Sequence, residues 1–216
     1  MGQRLNIEIK RKKVGVVLAN CYYHWSAYTS SAIELTNKIL DNLSDFMEAN
    51  ECFTDDEIAM LLLQTTGAGV EEDDYNLLLE ENKKHLHLAT SRNLGLISFT
   101  KDSMETTRKW EEGRVTITID FDYFKKENGI DKIINKNKYV SVNFDVLWHY
   151  DDFESAQDSY EDFENVKEED IPVFSYDFTN MSIDDMKTFR ADISDVENDE
   201  QHGVFKNNGE YFASIW

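Results

Sequence analysis

The chain has 216 residues, of which 41% are hydrophobic and 12% aromatic, enough to bury a sizeable core and too apolar for a disordered polymer. Its formal charge of −21, from 43 acids against 22 bases, argues against binding to bare nucleic acid or to an anionic membrane, since both are polyanions. Two cysteines, Cys21 and Cys52, give neither a disulfide framework nor a zinc pattern, and no long apolar run or lipidation motif accompanies them, so a reducing cytoplasm is expected.

Leu5, Ile7 and Ile9 alternate with Arg4, Asn6, Glu8 and Lys10, which predicts a strand with one wet face, followed by a charged turn at Arg11-Lys12-Lys13. Val14 to Ala19 is apolar on both faces, so the second strand of this N-terminal hairpin is expected to be the more central. Cys21 to Thr29 then packs Tyr22, Tyr23, His24, Trp25 and Tyr28 into one short stretch. Rings of this size anchor cores or recognition surfaces, and their polar tips need partners.

Ser31 and Glu34 have capping-box spacing and predict a helix with an apolar stripe of Ala32, Leu35, Ile39, Leu43, Phe46 and Met47, and with Glu34 and Lys38 paired outside. Thr54 and Glu57 repeat the box before Ile58 to Leu63, a run continuous enough for a buried helix. Gly67-Ala68-Gly69 ends it, and Tyr75 to Lys84 reads as a third helix behind four acids. His85 to Asn93 reads as a loop, Leu96 to Phe99 as a short strand and Thr100 to Trp110 as another capped helix. Two long strands follow, with Val115, Ile117, Ile119 and Phe121 opposite Thr116, Thr118, Asp120 and Asp122 in the first. In the second, Val140, Val142, Phe144, Val146 and Trp148 oppose Ser141, Asn143, Asp145 and His149.

Residues 151–200 hold 18 of the 43 acids and three bases, Lys167, Lys187 and Arg190, and so carry −15 of the −21. Phe153, Ala156, Tyr160, Phe163 and Val166 recur there at helical spacing, which predicts an amphipathic acidic helix. A capped helix at Ser182 to Ile193 and a short strand at Glu210 to Trp216 are expected after it. Together these elements predict an α+β fold, in which the N-terminal hairpin and the two central strands form an antiparallel sheet layered with helices and followed by an acidic C-terminal helical region. Residues 1–150 would be the core and 151–216 would pack on it as one unit.

Few constellations suggest chemistry. Cys21 and His24 point to opposite faces of an extended segment, and a buried cysteine behaves as a small hydrophobe. Asp120 and Asp122 could hold a cation, yet they fit the wet face of an alternating strand. Asp145 and His149 are about 13 Å apart on a regular strand, too far for one metal. His85 and His87 lack further ligands. Asp195, Glu197 and Asp199 start a calcium loop that Glu200 and Lys206 break. Gly67-Ala68-Gly69 lacks the lysine of a phosphate loop. No cofactor and no metal site are expected.

Gly2-Gln3-Arg4-Leu5-Asn6-Ile7-Glu8 followed by Tyr22-Tyr23-His24-Trp25-Ser26-Ala27-Tyr28-Thr29 resembles a family of small uncharacterised proteins of tailed phages and prophages, and Arg92 to Ile97 resembles a second segment of it. The resemblance covers residues 1–150 and implies a viral protein acting in the host cytoplasm. By analogy with acidic accessory phage proteins, it implies an anti-defence role. The leading expectation is an interaction protein whose Asp151, Asp152, Glu154, Asp158, Glu161, Asp162 and Glu164 occupy a basic surface on a host nucleic-acid-acting or defence protein and inhibit it, with nucleic-acid mimicry as the means. The alternative is a small hydrolase or ligand-binding protein with a pocket built from Tyr22, Tyr23, His24, Trp25, Asp120, Asp122, Asn143 and His149. Direct nucleic-acid and membrane partners are not expected, and the oligomeric state is left open.

Overall fold

Leu5–Arg11 (β1) and Val17–Tyr23 (β2) run antiparallel, joined by a turn in which Arg11 N–H donates to the Val16 carbonyl at 2.9 Å and Gly15 takes φ +63°. Glycine adopts that φ without a Cβ clash. The computed structural model to which this hairpin belongs describes residues 3–49, 53–109, 111–124, 139–158, 166–198 and 203–213. The chain continues through Thr29–Ala49 (α1), Asp55–Gln64 (α2), Gly69–Val70 (β3), Glu72–Leu77 (α3), Gly95–Ser98 (β4), Lys101–Arg108 (α4), Gly113–Ile119 (β5) and Val140–Val146 (β6). His149–Tyr150 (β7), Phe153–Asp158 (α5), Val173–Phe174 (β8), Ile183–Asn198 (α6), Val204–Asn207 (β9) and Glu210–Ala213 (β10) complete it.

The fold mixes helices with two sheets, one ordered β3-β4-β2-β1-β5-β6 and the other β7-β10-β9-β8. Neither is purely antiparallel, which corrects the expected sheet: β1 pairs with β5 in parallel, as do β3 with β4 and β8 with β9. Because β5 takes the free edge of β1, β1 lies as centrally as β2. The face of β1 expected to be wet is covered as well, by α4, with Asn6 at 0% and Glu8 at 6% exposure. Val14 and Val16, expected inside, sit in the turn at 63% and 53% exposure.

Local chemistry sets most helix ends. Thr54 and Glu57 close a reciprocal cap on α2, and every residue from Ile58 to Leu63 is buried. Ser182 and Asp185 exchange the same pair of bonds at the start of α6. Helix α1 starts at Thr29, two residues before the expected Ser31 box, while Glu34 pairs with Lys38 at 2.9 Å. Phe46 and Met47 lie outside the described side chains. The helix expected over Tyr75 to Lys84 stops at Leu77, because the chain turns extended at Leu78 to bury that side chain and Asn82 reaches back to Glu57.

Both long strands end early. Chain β5 stops at Ile119, so Asp122 lies in a 3-10 turn, Phe121–Phe124, and does not share a strand face with Asp120. In β6, Arg114 pairs with Val146 while Val115 pairs with Phe144, leaving Asp145 as a bulge. That extra residue rotates Val146 outward to 43% exposure and ends the alternation before Trp148.

The apolar face of the larger sheet, with Leu5, Ile7, Ile9, Cys21, Tyr23, Ile97, Val115, Ile117 and Val142, shares one core with α1, α2 and α6. Each fully buried aliphatic side chain there contributes about 1.5–3 kcal/mol. Phe189 of α6 lies 6.2 Å from Phe144 and 6.1 Å from Phe205, ring centre to ring centre, and so links the core to the inner face of the smaller sheet. No helix among the described residues is long and apolar enough to cross a membrane.

Candidate interaction surface

The outer face of the smaller sheet carries the acidic segment. Register places Tyr150, Tyr211, Lys206 and Val173 on that face, with Phe205, Phe212 and Phe174 on the inner one. Helix α5 packs there through Ala156, which is buried with Ile171, Val204 and Tyr211, and through Phe153, whose ring lies 6.1 Å from that of Tyr211. Asp152 starts the helix by accepting the Ser155 N–H at 2.7 Å.

Among the described residues, seven carboxylates stand exposed on this platform: Asp151, Asp152, Glu154, Asp158, Glu168, Glu169 and Asp170. Hydrogen bonds from Ser155 hold Asp152 below the usual carboxylate range. Glu168 is held low first by the Tyr211 hydroxyl and then by Lys206, which stands 3.1 Å from Glu168 and 2.8 Å from the Tyr211 oxygen. Both acids are therefore ionised at neutral pH. The nearby cations are occupied, Lys206 by Glu168 and Lys167 by Glu169 at 3.6 Å, so the surplus charge of the platform is negative. Of the acidic helix expected over Phe153 to Val166, the described part is helical from Phe153 to Asp158, and a 3-10 turn at Glu168–Asp170 and β8 follow further along the chain. Glu161, Asp162 and Glu164, with Tyr160 and Phe163, lie outside the described residues.

The eight residues of the expected ligand pocket do not come together. Tyr23 is buried on the core face, its hydroxyl 2.7 Å from Thr66 Oγ1, whereas Tyr22 lies on the opposite face with its hydroxyl 3.0 Å from His24 Nδ1. Asn143 stands on β6, three strand spacings or roughly 14 Å from β2. Asp122 is tied to Arg11 at 2.9 Å and to Lys13, and Asp120 is half-buried beside the same turn. His149 belongs to the other sheet, its ring 5.9 Å from that of Phe212. The exposed part of the aromatic stretch is a corner: His24 meets Trp25 edge to face at 5.2 Å, and Trp25 is 57% exposed at φ 147°, a conformation that strains a residue with a side chain. Cys21 is buried, which pushes its thiol up to about 12. His85 packs edge to face on Phe53 at 5.6 Å, and no cluster of three His, Cys, Asp or Glu that could hold a metal occurs among the described residues.

A further polar feature spans the larger sheet. Ser98, Asn20, Glu8, Thr116 and Asn143 are register partners across β4, β2, β1, β5 and β6, and form one row on the face opposite the core. Helix α4 lies over this row through polar contacts: Asn20 Nδ2 donates to Thr107 Oγ1 at 2.9 Å, and Arg108 Nε to Glu8 at 2.5 Å. The signal available in the sequence was α4 itself, whose eight residues include one large apolar side chain, Met104. A helix with so little apolar surface has no stripe with which to pack on an apolar core.

Comparison of the chain with protein-family models, curated proteins and solved structures finds no match.

Proposed function

We propose that this is a non-catalytic interaction protein that uses the acidic platform of the smaller sheet to occupy a basic surface on a protein partner. The observation that carries the reading is the mounting of the charge. Seven exposed carboxylates sit on a packed base of Ala156, Ile171, Val204 and Tyr211, so they can meet a partner without the ordering cost of a disordered acidic tail. The resemblance to phage and prophage proteins adds the class of partner: a host nucleic-acid-acting or defence protein in the bacterial cytoplasm, inhibited by carboxylates that stand where phosphates would.

Affinity capture from bacterial lysate at low and high salt tests this. The captured partner should release as salt rises, compete with DNA or RNA, and bind far more weakly when Asp151, Asp152, Glu154 and Asp158 become asparagine or glutamine. Equal binding by that variant, without competition from nucleic acid, would move the interface to the corner formed by Tyr22, His24 and Trp25.

A further inference from the structure

Among the described residues, strand β8 is the last strand of the smaller sheet and pairs on one side, with β9. Its ladder runs through Pro172, whose carbonyl accepts from Lys206 N–H at 2.8 Å, and Phe174, whose carbonyl accepts from Asn208 N–H at 3.3 Å. In a parallel ladder the residue between two bonded neighbours turns its own N–H and C=O the other way. Val173 therefore directs both groups off the open edge, and its side chain is 70% exposed. Pro172 lacks its N–H on the side facing β9, so it takes nothing from that edge. Acids flank the edge at both ends, Glu168, Glu169 and Asp170 before it and Asp177 after it, all exposed.

We infer that this edge accepts an extended, lysine- or arginine-rich segment of the protein partner as a fifth strand beside β8. The inference rests on the acidic platform being the binding surface, and names how the partner is held there. Main-chain bonds to Val173 would set the register, and the flanking carboxylates would select basic side chains. The same carboxylates disfavour a second copy of this chain, because two such edges would bring like charges together.

The probe is an acetylated, amidated octapeptide of alternating lysine and valine, followed by the backbone amide NMR signals of the intact chain. Binding should shift the signals of Val173 and Ser175 and slow the exchange of the Val173 amide. Peptides with every second amide N-methylated, or with glutamate for lysine, should lose about tenfold or more in affinity. Val173→Pro, which removes the edge N–H and leaves the bonds at Pro172 and Phe174 intact, should lose a similar factor while circular dichroism stays unchanged. If that variant unfolds, the N-methylated peptide on the unaltered chain still decides. Equal binding of the methylated peptide would overturn strand addition, and so would a concentration-dependent dimer that Val173→Pro dissolves. A captured partner lost on changing Glu168, Glu169 and Asp170 to amides but kept by Val173→Pro would leave the acidic platform standing and remove the edge. A partner indifferent to both, and to amides at Asp151, Asp152, Glu154 and Asp158, would remove the platform itself.

Discussion

Arg108 on α4 closes on Glu8 of β1, its Nε 2.5 Å from the carboxylate, and this pair fastens a polar helix across a polar row of the larger sheet. Glu8 is nearly buried, so removing its partner strands a charge. Arg108→Ala is expected to destabilise the protein by about 3 kcal/mol in urea unfolding. Adding Glu8→Gln should recover part of that loss, because the stranded charge is then gone. A loss under about 0.5 kcal/mol for Arg108→Ala would show that the pair behaves as an ordinary surface contact.

Asp122 gives the acid limb of stability. The Lys13 and Arg11 hydrogen bonds lower its pKa from 3.8 to about 2. A depressed carboxylate stabilises the fold above its unfolded value and loses that contribution as pH falls through the folded one, here from about 4 to about 2. Asp122→Asn should therefore lower the urea midpoint at pH 7 and converge on the parent as pH falls below about 2. A constant offset across this window would mean that the carboxylate's charge is not what matters.

Cys21 is expected to be inert. Its burial raises the thiol from 9.0 to about 12, so the folded chain holds that proton more tightly than the unfolded chain. The associated stability is complete below about pH 9 and is lost as pH rises toward 12. In a Cys52→Ser background, labelling by an aromatic disulfide reagent at pH 8 should follow the rate of unfolding. Labelling of the native protein at the rate seen in denaturant would contradict the buried position.

Trp25 reverses a familiar order. At φ 147° any Cβ is strained, whereas glycine is not. Trp25→Gly should be more stable than Trp25→Ala by about 1 kcal/mol, although glycine is ordinarily the weaker of the two. Thermal unfolding of the two variants side by side checks it. If alanine proves the more stable, the backbone at this corner is not held in that conformation.

Short-range chemistry was readable from the residues and long-range placement was not. The Thr54 and Glu57 cap and the apolar run after it sit within ten residues of one another, and both stand as the pattern requires. Asn6 and Glu8 looked solvated because their partners, Thr107, Glu111 and Arg108, come about a hundred residues later in the chain. The bulge at Asp145 is a product of pairing with β5, so alternation within β6 alone could not reveal where Val146 would turn. Strands β7 and β8 have two residues each, too few to show any period, and with them the smaller sheet escaped notice. The pocket fails for a related reason: whether β2 and β6 are neighbours depends on strand order, and the sequence pattern of neither strand encodes it.

The parallel pairing of β1 with β5 also shapes how the chain comes to be folded. Leu5 pairs with Gly113 and Arg11 with Ile119, so the centre of the sheet joins the start of the chain to its middle. Closing a loop of about 100 residues carries an entropic term of about 4 kcal/mol before any of those contacts form. At translation rates of about 5–20 residues per second, the β1–β2 hairpin exists for on the order of 5–20 s before β5 has been made. During that interval Leu5, Ile7 and Ile9 have their hairpin partner but lack the neighbour that completes their cover. Until then the hairpin keeps an open edge on β1, and the interval before Ile119 is made is when the growing chain most needs shielding from other chains.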